Sequence, residues 1–359
     1  MKFLSQFSLA KRGKINKYLR LVDNNKYYSN FGPLYLKLKK KIERNLNYKD
    51  NNIIFTSSGH SSLLAVTKYL STKLKKKYVL CPSFSFYSNP LSIIDSGFKP
   101  YFVDINTDNL VIDLKLVKKI LSKKNDIAFL MVVSPFGYPV DIEYLNKFQK
   151  EINIPIVYDA ADAYLNLKKK IDNKIFITCS FHPTKSFGSN ESGLIISPKK
   201  HIKNLENLIN FGLKNKNSTS NTIGFNGKFS EYDAAILLAN FDEIKSKKKD
   251  LKKKLEIFLK YFPKKYKIFN NKKIITNKVN FYFDPKKIYR LRKIFLKYGI
   301  IINKWWSENS MHEINIFKKY PKTRMNWTNS TKKNIYGFYL DHKINTKKIK
   351  DLCNEFSKL

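Results

Sequence analysis

The stretch Ser180-Phe181-His182-Pro183-Thr184-Lys185 decides how this chain reads. It follows Lys174-Ile175-Phe176-Ile177-Thr178-Cys179, an apolar run that reads as a strand. It precedes Ser186-Phe187-Gly188-Ser189-Asn190-Glu191-Ser192-Gly193 and a second apolar run, Leu194-Ile195-Ile196. A lysine on a tight loop between two buried strands does little for solubility. Its amine is well placed to form an imine with an aldehyde. By residue type alone Lys185 is one lysine among many; its position between two apolar strands singles it out.

Working outward, strands and helices alternate from about Asn52 to Ser197, which predicts an α/β fold with a mostly parallel sheet. Strands are predicted at Asn52 to Phe55, Tyr78 to Cys81, Pro100 to Asp104, Ile127 to Val133 and Ile154 to Tyr158. Leu34 to Leu46 carries apolar residues at helical spacing among lysines. Further helices are predicted from Ser61 and over Asn89 to Ser96, the latter closed by Gly97. In parallel sheets the chemistry gathers beyond the carboxyl ends of the strands. Gly59, Phe86, Asp159 and Lys185 all fall at such ends. After residue 250 the sequence becomes more basic, with Pro263 and a predicted helix from Pro285 to Tyr298. This divides the chain into a large domain, 1–250, and a smaller C-terminal α+β domain, 251–359.

Composition narrows the function classes. A chain of 359 residues buries roughly three quarters of its unfolded surface, and 43% hydrophobic residues is ordinary for a globular protein. There is no 18-residue apolar run, so no membrane insertion is expected. Met1-Lys2-Phe3-Leu4-Ser5-Gln6-Phe7 makes a poor signal peptide. Cys81, Cys179 and Cys353 are widely spaced, predicting a reducing cytoplasm with no disulfide framework and no metal site. The formal charge of +41 raises nucleic-acid binding, but only six of the 69 basic residues are arginine, the residue suited to phosphates and bases. Abundant Lys, Asn and Ile are what AT-rich codons produce, and Lys247-Lys248-Lys249 reads as a solvated helix face. No nucleic-acid partner is therefore expected. The positive surface still attracts anionic substrates.

The residues at the strand ends match the demands of pyridoxal 5'-phosphate, which needs an imine lysine, a carboxylate at its ring nitrogen, a phosphate cradle and a flat support. Lys185 supplies the amine and acts as proton carrier. Asp159 is placed either to keep the ring nitrogen protonated or to cap the helix at Ala160-Ala161; taken with Lys185, the first role is favoured. Gly59-His60-Ser61 opens a helix whose amides, with the Ser61 and Ser180 hydroxyls, can bind phosphate. Phe86 either stacks on the ring or fills the core.

These motifs resemble the sugar aminotransferases of the DegT/DnrJ/EryC1/StrS family over nearly the whole chain. Pro82-Ser83-Phe84-Ser85-Phe86, Gly97 to Asp104, Asp159-Ala160-Ala161 and Ser180 to Lys185 carry the likeness, with Gly224 to Ala235 resembling the family's downstream G-x-N segment. The resemblance implies the fold-type-I architecture of aspartate aminotransferase. It also implies that Asn226 reaches the cofactor phosphate of a neighbouring subunit, hence a homodimer with shared active sites. Ser134 to Asp141, Lys304-Trp305-Trp306, His312, Pro321-Lys322-Thr323 and Gly337-Phe338-Tyr339-Leu340-Asp341 resemble the dTDP-4-amino-4,6-dideoxyglucose transaminase subgroup. That subgroup aminates C4 of a dTDP-4-keto-6-deoxyhexose. This implies a nucleotide-sugar substrate near Lys228, Trp305, Trp306 and His312, L-glutamate as donor, and a place in O-antigen or other cell-surface polysaccharide biosynthesis. On the residues alone, the paired tryptophans pack either a sugar or base, or a domain core.

Three departures qualify the resemblance. Asp162 stands where the family has Gln or His near the cofactor's phenolic oxygen, and an anion there opposes the phenolate unless it turns away or is protonated. The family's Gly-Glu-Gly-Gly is Asn190-Glu191-Ser192-Gly193 here, and Lys228 replaces a common Arg. Asp162 and Asn190 motivate a second class, a catalytically degenerate or regulatory protein of the same fold. Lys185 argues against the related dehydratases, which carry histidine in its place.

Overall fold

The computed structural model describes residues 9–48, 52–167, 171–172, 174–214, 222–306, 308–340 and 344–359. Met1 to Phe7 and Asp341 lie outside the described residues. In chain order the strands are β1 (Ile53–Thr56), β2 (Tyr78–Pro82), β3 (Lys99–Val103), β4 (Ile127–Val133), β5 (Ile156–Asp159), β6 (Ile175–Ser180), β7 (Gly193–Ile196), β8 (Lys278–Tyr282) and β9 (Ile335–Tyr339). The helices are α1 (Arg12–Asn25), α2 (Pro33–Leu46), α3 (Gly59–Ser71), α4 (Ser88–Asp95), α5 (Leu114–Leu121), α6 (Ile142–Ile152), α7 (Lys199–Ile209), α8 (Glu231–Asp242), α9 (Ile244–Tyr261), α10 (Ile288–Lys297), α11 (Asn326–Asn334) and α12 (Thr346–Ser357).

Seven strands form one sheet in the order β1-β7-β6-β5-β4-β2-β3. Strands β2 to β6 run parallel, as the alternating pattern predicts. β7 is the exception, antiparallel to both β6 and β1. The reversal follows from the loop between them: residues 181–192 fold back on themselves, Phe181 donating to Ser192 O and accepting from Ser189, and bring Ser180 opposite Gly193. With no helix between β6 and β7 there is no crossover, which a parallel pair needs.

Strand β4 explains the layering. All seven of its residues are buried, as a central parallel strand requires. Leu130 and Val132 join the core on one face, with α2 and α8, whereas Phe129, Met131 and Val133 join the other, with α3 and α7. A separate core lies under the β8–β9 pair, built from Phe258, Phe281, Phe295, Phe338 and Phe356. A fourth cluster holds Phe84, Phe136, Tyr138 and Ile335, with Trp305 and Trp306 packed on it.

The chain after residue 300 returns to the large sheet. Phe102 in β3 donates to the Pro321 carbonyl at 2.9 Å and accepts from the Thr323 amide at 2.9 Å. Asp104, predicted as a strand residue, lies just past β3 and acts as an anchor. Its buried carboxylate accepts the amides of Ile105 (2.9 Å), Trp327 (2.9 Å) and Thr328 (2.7 Å) and the Thr328 hydroxyl (2.7 Å). An anion at the start of α11 complements the exposed amides there. The predicted helix from Pro285 to Tyr298 is a 3-10 turn, Pro285–Lys287, followed by α10. Asp284 caps the turn by accepting the Lys286 amide at 2.9 Å.

Candidate active site

Lys185 sits in the loop from β6 to β7. Its amide donates to His182 O at 2.8 Å, and its carbonyl accepts the Gly188 amide at 2.9 Å. Phe181 donates to Ser192 O at 2.8 Å and accepts from Ser189 at 2.7 Å, closing the loop base. Gly188 is required because the His182 and Pro183 carbonyls occupy the space of a Cβ. His182 Nδ1 accepts the Thr184 amide at 3.3 Å and lies 2.8 Å from its hydroxyl, while Nε2 faces Glu191 at 3.3 Å. Among the described residues no group hydrogen-bonds the Lys185 amine.

Asp159 ends β5, one strand over from the lysine loop. Only 5% of it is exposed. Its oxygens accept Asn89 Nδ2 at 2.7 Å and the Ala161 amide at 3.0 Å. Burial pushes its carboxyl upward, and the Asn89 bond, the charge of Lys185 and the Ala161 amide pull it back. The amide it holds belongs to the next turn, so the capping geometry and the proximity to Lys185 coexist in one residue.

Gly59 opens α3 directly against Ser180. A Cβ at Gly59 would stand 2.6 Å from Ser180 Cβ and 3.0 Å from its Oγ, so only glycine lets helix start and strand end meet. Ser58 caps α3, its hydroxyl accepting the Ser61 amide at 3.0 Å. The amides of Gly59 and His60 have no acceptor within the helix. The Ser61 hydroxyl lies 2.9 Å from that of Ser57 and 3.0 Å from that of Ser58. The Ser180 hydroxyl accepts the His182 amide at 3.2 Å. The corner therefore presents amides and hydroxyls with a helix dipole behind them, a setting for an anion. Burial lowers His60, with Asp95 opposing.

Asp162 is buried and does not stand as a lone anion. One oxygen accepts the Ser186 amide at 2.5 Å, and the other pairs with the ammonium of Lys278 in β8. The altered loop is also anchored. Asn190 donates to Asp233 at 2.5 Å and accepts from the Ser192 hydroxyl at 3.3 Å. Gly193 is kept where the Ser58 carbonyl and Ser62 hydroxyl fill the space of a Cβ.

The remaining predicted residues divide. Phe86 is 52% exposed and is no core aromatic; it meets Tyr87 edge-on and precedes α4, which carries Asn89. Exposed Asn226 bridges to Asn210, and the next residue, Gly227, accepts the Ser57 amide at 2.9 Å. Lys228 donates to Asn210 at 3.0 Å and lies 4.5 Å over the Phe211 ring, with burial lowering its ammonium. Trp306 stacks on Phe136 at 4.7 Å and meets Phe84 edge-on at 5.6 Å. Trp305 packs edge-on against Tyr339 at 4.8 Å. Both tryptophans thus belong to the aromatic cluster. His312 is buried, Nδ1 lying 2.6 Å from the Ser83 hydroxyl, which also accepts the His312 amide at 3.2 Å. Burial lowers its imidazole.

Sequence reasoning missed Asn89 and Lys278. Asn89 sits at a helix start three residues after Phe86, and only the fold aims it at Asp159. Lys278 carries no signal in a chain with 69 basic residues. Among the described residues no helix is long and apolar enough to cross a membrane, and no cluster of metal-binding side chains occurs.

Comparison with known proteins gives the site its context. The sequence pattern of the DegT/DnrJ/EryC1/StrS aminotransferase family matches residues 10–354. The dTDP-4-amino-4,6-dideoxy-D-glucose transaminase of Shigella dysenteriae is 29% identical over 67% of this chain, and the match spans 65% of that protein. The UDP-4-amino-4,6-dideoxy-N-acetyl-beta-L-altrosamine transaminase of Campylobacter jejuni is 28% identical over 53% of this chain and 51% of its own length. Ntda from Bacillus subtilis, solved with bound cofactor PMP, has the same fold, with a TM-score of 0.83 and 16% identity over 97% of this chain and 82% of its own.

Proposed function

The chain belongs to the DegT/DnrJ/EryC1/StrS aminotransferase family, and from that premise we propose that it is a pyridoxal-phosphate-dependent aminotransferase acting on a keto-sugar nucleotide. One observation carries the reading: Lys185, in the loop that leaves β6, and Asp159, at the end of the neighbouring parallel β5, interact through their charges beside the glycine-opened start of α3. The residues fit the cofactor. The space kept free by Gly59, the unbonded Lys185 amine and the buried Asp159 carboxylate answer its phosphate, aldehyde and ring nitrogen.

When bound, the cofactor supplies an electron sink for carbanion chemistry. Lys185 holds it covalently and moves protons between carbon centres. Asp159 keeps its charge next to the ring nitrogen, steadied by Asn89 and the Ala161 amide. Gly59, His60, Ser61 and Ser180 bind the phosphate, and Phe86 covers the ring. Asp162 stands at the phenolic side. Asn226 serves the phosphate of a second copy, making a homodimer with shared sites. Lys228, Trp305, Trp306 and His312 bound the nucleotide-sugar side, the tryptophans as a wall fixed by Phe136 and Phe84.

The finer substrate is C4 of a dTDP-4-keto-6-deoxyhexose, with L-glutamate as donor in a ping-pong exchange that serves cell-surface polysaccharide synthesis. The named dTDP-sugar transaminase of Shigella supports the choice of nucleotide sugar, and the UDP-sugar transaminase of Campylobacter supports the coarser class, a 4-amino-4,6-dideoxy nucleotide sugar. A cytoplasmic location agrees with three buried free cysteines. The division at about residue 250 agrees with the separate β8–β9 core, although Met311, Phe317 and Met325 pack on the large sheet. Purified protein mixed with pyridoxal phosphate should turn yellow, and glutamate should bleach the visible band until a keto-sugar nucleotide restores it. Protein that stays colourless with added cofactor would overturn the reading.

A further inference from the structure

One buried ion pair holds both peptide groups that flank Lys185. Asp162 Oδ1 accepts the amide of Ser186, the residue after the lysine, at 2.5 Å. Asp162 Oδ2 pairs with the Lys278 ammonium. That ammonium donates to the carbonyl of Thr184, the residue before the lysine, at 2.9 Å, and to Asn277 Oδ1 at 3.2 Å. The two side chains are only 8% and 5% exposed. Asn277 tightens the hold: its amide donates to Ser186 Oγ at 3.1 Å, and its Nδ2 donates to Thr184 O at 3.3 Å. The Tyr339 ring of β9 lies 5.1 Å from the ammonium on another side. Asn277 and Lys278, at the start of β8, thus grip the lysine loop at Thr184 and Ser186, the residues on either side of Lys185.

A buried ion pair is a poor source of stability, because stripping water from two charges offsets their attraction. This one is costlier still, since its cation lies close to a second lysine. Burial lowers Lys278 to about 8, with Asp162 pulling it up and Lys185 pushing it down. Two functions match the geometry. The pair fixes the backbone on both sides of Lys185, and it cancels the charge of an aspartate that would otherwise face the bound cofactor as an uncompensated anion.

We propose that Lys278, locked to Asp162, is a positioning residue for Lys185 and the balancing charge for Asp162. This rests on the reading of Lys185 as the cofactor lysine. The other titratable groups facing the pair are Lys185, Cys179 in β6, Tyr138 beyond β4 and Tyr339, while Asp159 faces Lys185. Burial pushes Cys179, Tyr138 and Tyr339 upward, so none of the three titrates near neutrality.

The test uses full-length Lys278→Met, Asp162→Asn, the double variant and Lys278→Arg. The first readout is the pH midpoint of the visible band of protein-bound pyridoxal phosphate. Lys278→Met leaves Asp162 uncompensated, which favours the proton on the nitrogen joining Lys185 to the cofactor; the midpoint should rise by about one unit or more. Asp162→Asn leaves the cation uncompensated, and the midpoint should fall by a similar amount. The double variant and Lys278→Arg should stay within a few tenths of wild type. Midpoints that coincide in both single variants would overturn the charge-balancing role.

The second readout is limited proteolysis of the cofactor-free protein within residues 182–192. Cleavage should be about tenfold faster in Lys278→Met and Asp162→Asn than in wild type, as loss of roughly 1.4 kcal/mol of loop closure gives. Equal rates would overturn the positioning role. Colourless wild-type protein would count against the cofactor reading alone, because the proteolysis still decides whether the pair holds the loop.

Discussion

Substituting Gly59 by alanine strikes first at the corner where α3 meets the end of β6, the proposed phosphate site. The added Cβ would lie 2.6 Å from Ser180 Cβ and 3.0 Å from its Oγ. Ordinary carbon–carbon contact is about 3.5–4.0 Å, so the overlap approaches an ångström. The obstructing carbon belongs to the last residue of a buried strand, so no flexible tip can swing aside. Either α3 withdraws or β6 bends, and overpacking of this kind costs about 1–3 kcal/mol. With this end proposed to bind the phosphate, that energy should weaken cofactor affinity by about 5- to 150-fold, at roughly 1.4 kcal/mol per tenfold. The assay titrates cofactor-free Gly59→Ala with pyridoxal phosphate and follows the visible band, with wild type and Ser180→Gly alongside. Adding Ser180→Gly to Gly59→Ala removes both close contacts and leaves the backbone Cα at 3.2 Å, so it should restore part of the loss. Wild-type affinity in Gly59→Ala would refute the assignment of this corner to the phosphate.

Three further outcomes follow from the same geometry. Asp159→Asn removes the charge and keeps one acceptor, Oδ1, for the Ala161 amide, while its new Nδ2 can donate to Asn89 Oδ1 once the Asn89 amide turns; kcat should fall by about 10- to 100-fold, the scale of one charged hydrogen bond, and an unchanged kcat would remove Asp159 from the ring nitrogen. Asp104→Ala strips the acceptor from three buried donors and the part-buried Trp327 amide; urea denaturation should give a loss of about 3 kcal/mol, and a loss under about 0.5 kcal/mol would mean that Asp104 does not anchor the returning segment. His312 is lowered by burial from the ordinary 6.5, with Glu313 and Asp104 opposing and Lys322 and Lys332 assisting. As pH falls below 6.5 the unfolded chain takes the proton first, so this group's contribution is lost until the folded imidazole is also protonated. His312→Gln should therefore flatten the fall in melting temperature between pH 7 and pH 5, and identical profiles would refute the assignment.

The candidate site was legible in the sequence where chemistry coincides with a structural boundary. Asp159, Gly59 and Lys185 each end a strand or open a turn, and such residues rarely have a packing reason to be there. What lay hidden depends on contacts between distant segments. Asp162 read as an uncompensated anion because its partner is 116 positions away on β8, in a stretch that resembles every other lysine-rich stretch. The reversal of β7 was also hidden, since an apolar run buried on both faces has no direction in its composition. Trp305 and Trp306 stood equally for a sugar wall and a core, and their contacts are those of packing: the rings lie on Phe136 and Tyr339, the latter beside Lys278. Helices α1, α5, α6, α7, α11 and α12 went unread because no motif drew attention to them, and α8 begins inside the G-x-N segment, where Ser230 caps it through the Asp233 amide at 3.0 Å.

The account turns on one covalent bond. Reducing the cofactor-loaded protein with borohydride fixes the cofactor to the lysine that holds it, and peptide mass spectrometry identifies that residue. The added mass should fall on Lys185 alone. A label on the neighbouring Lys278, or no label on any lysine of a yellow protein, would contradict it.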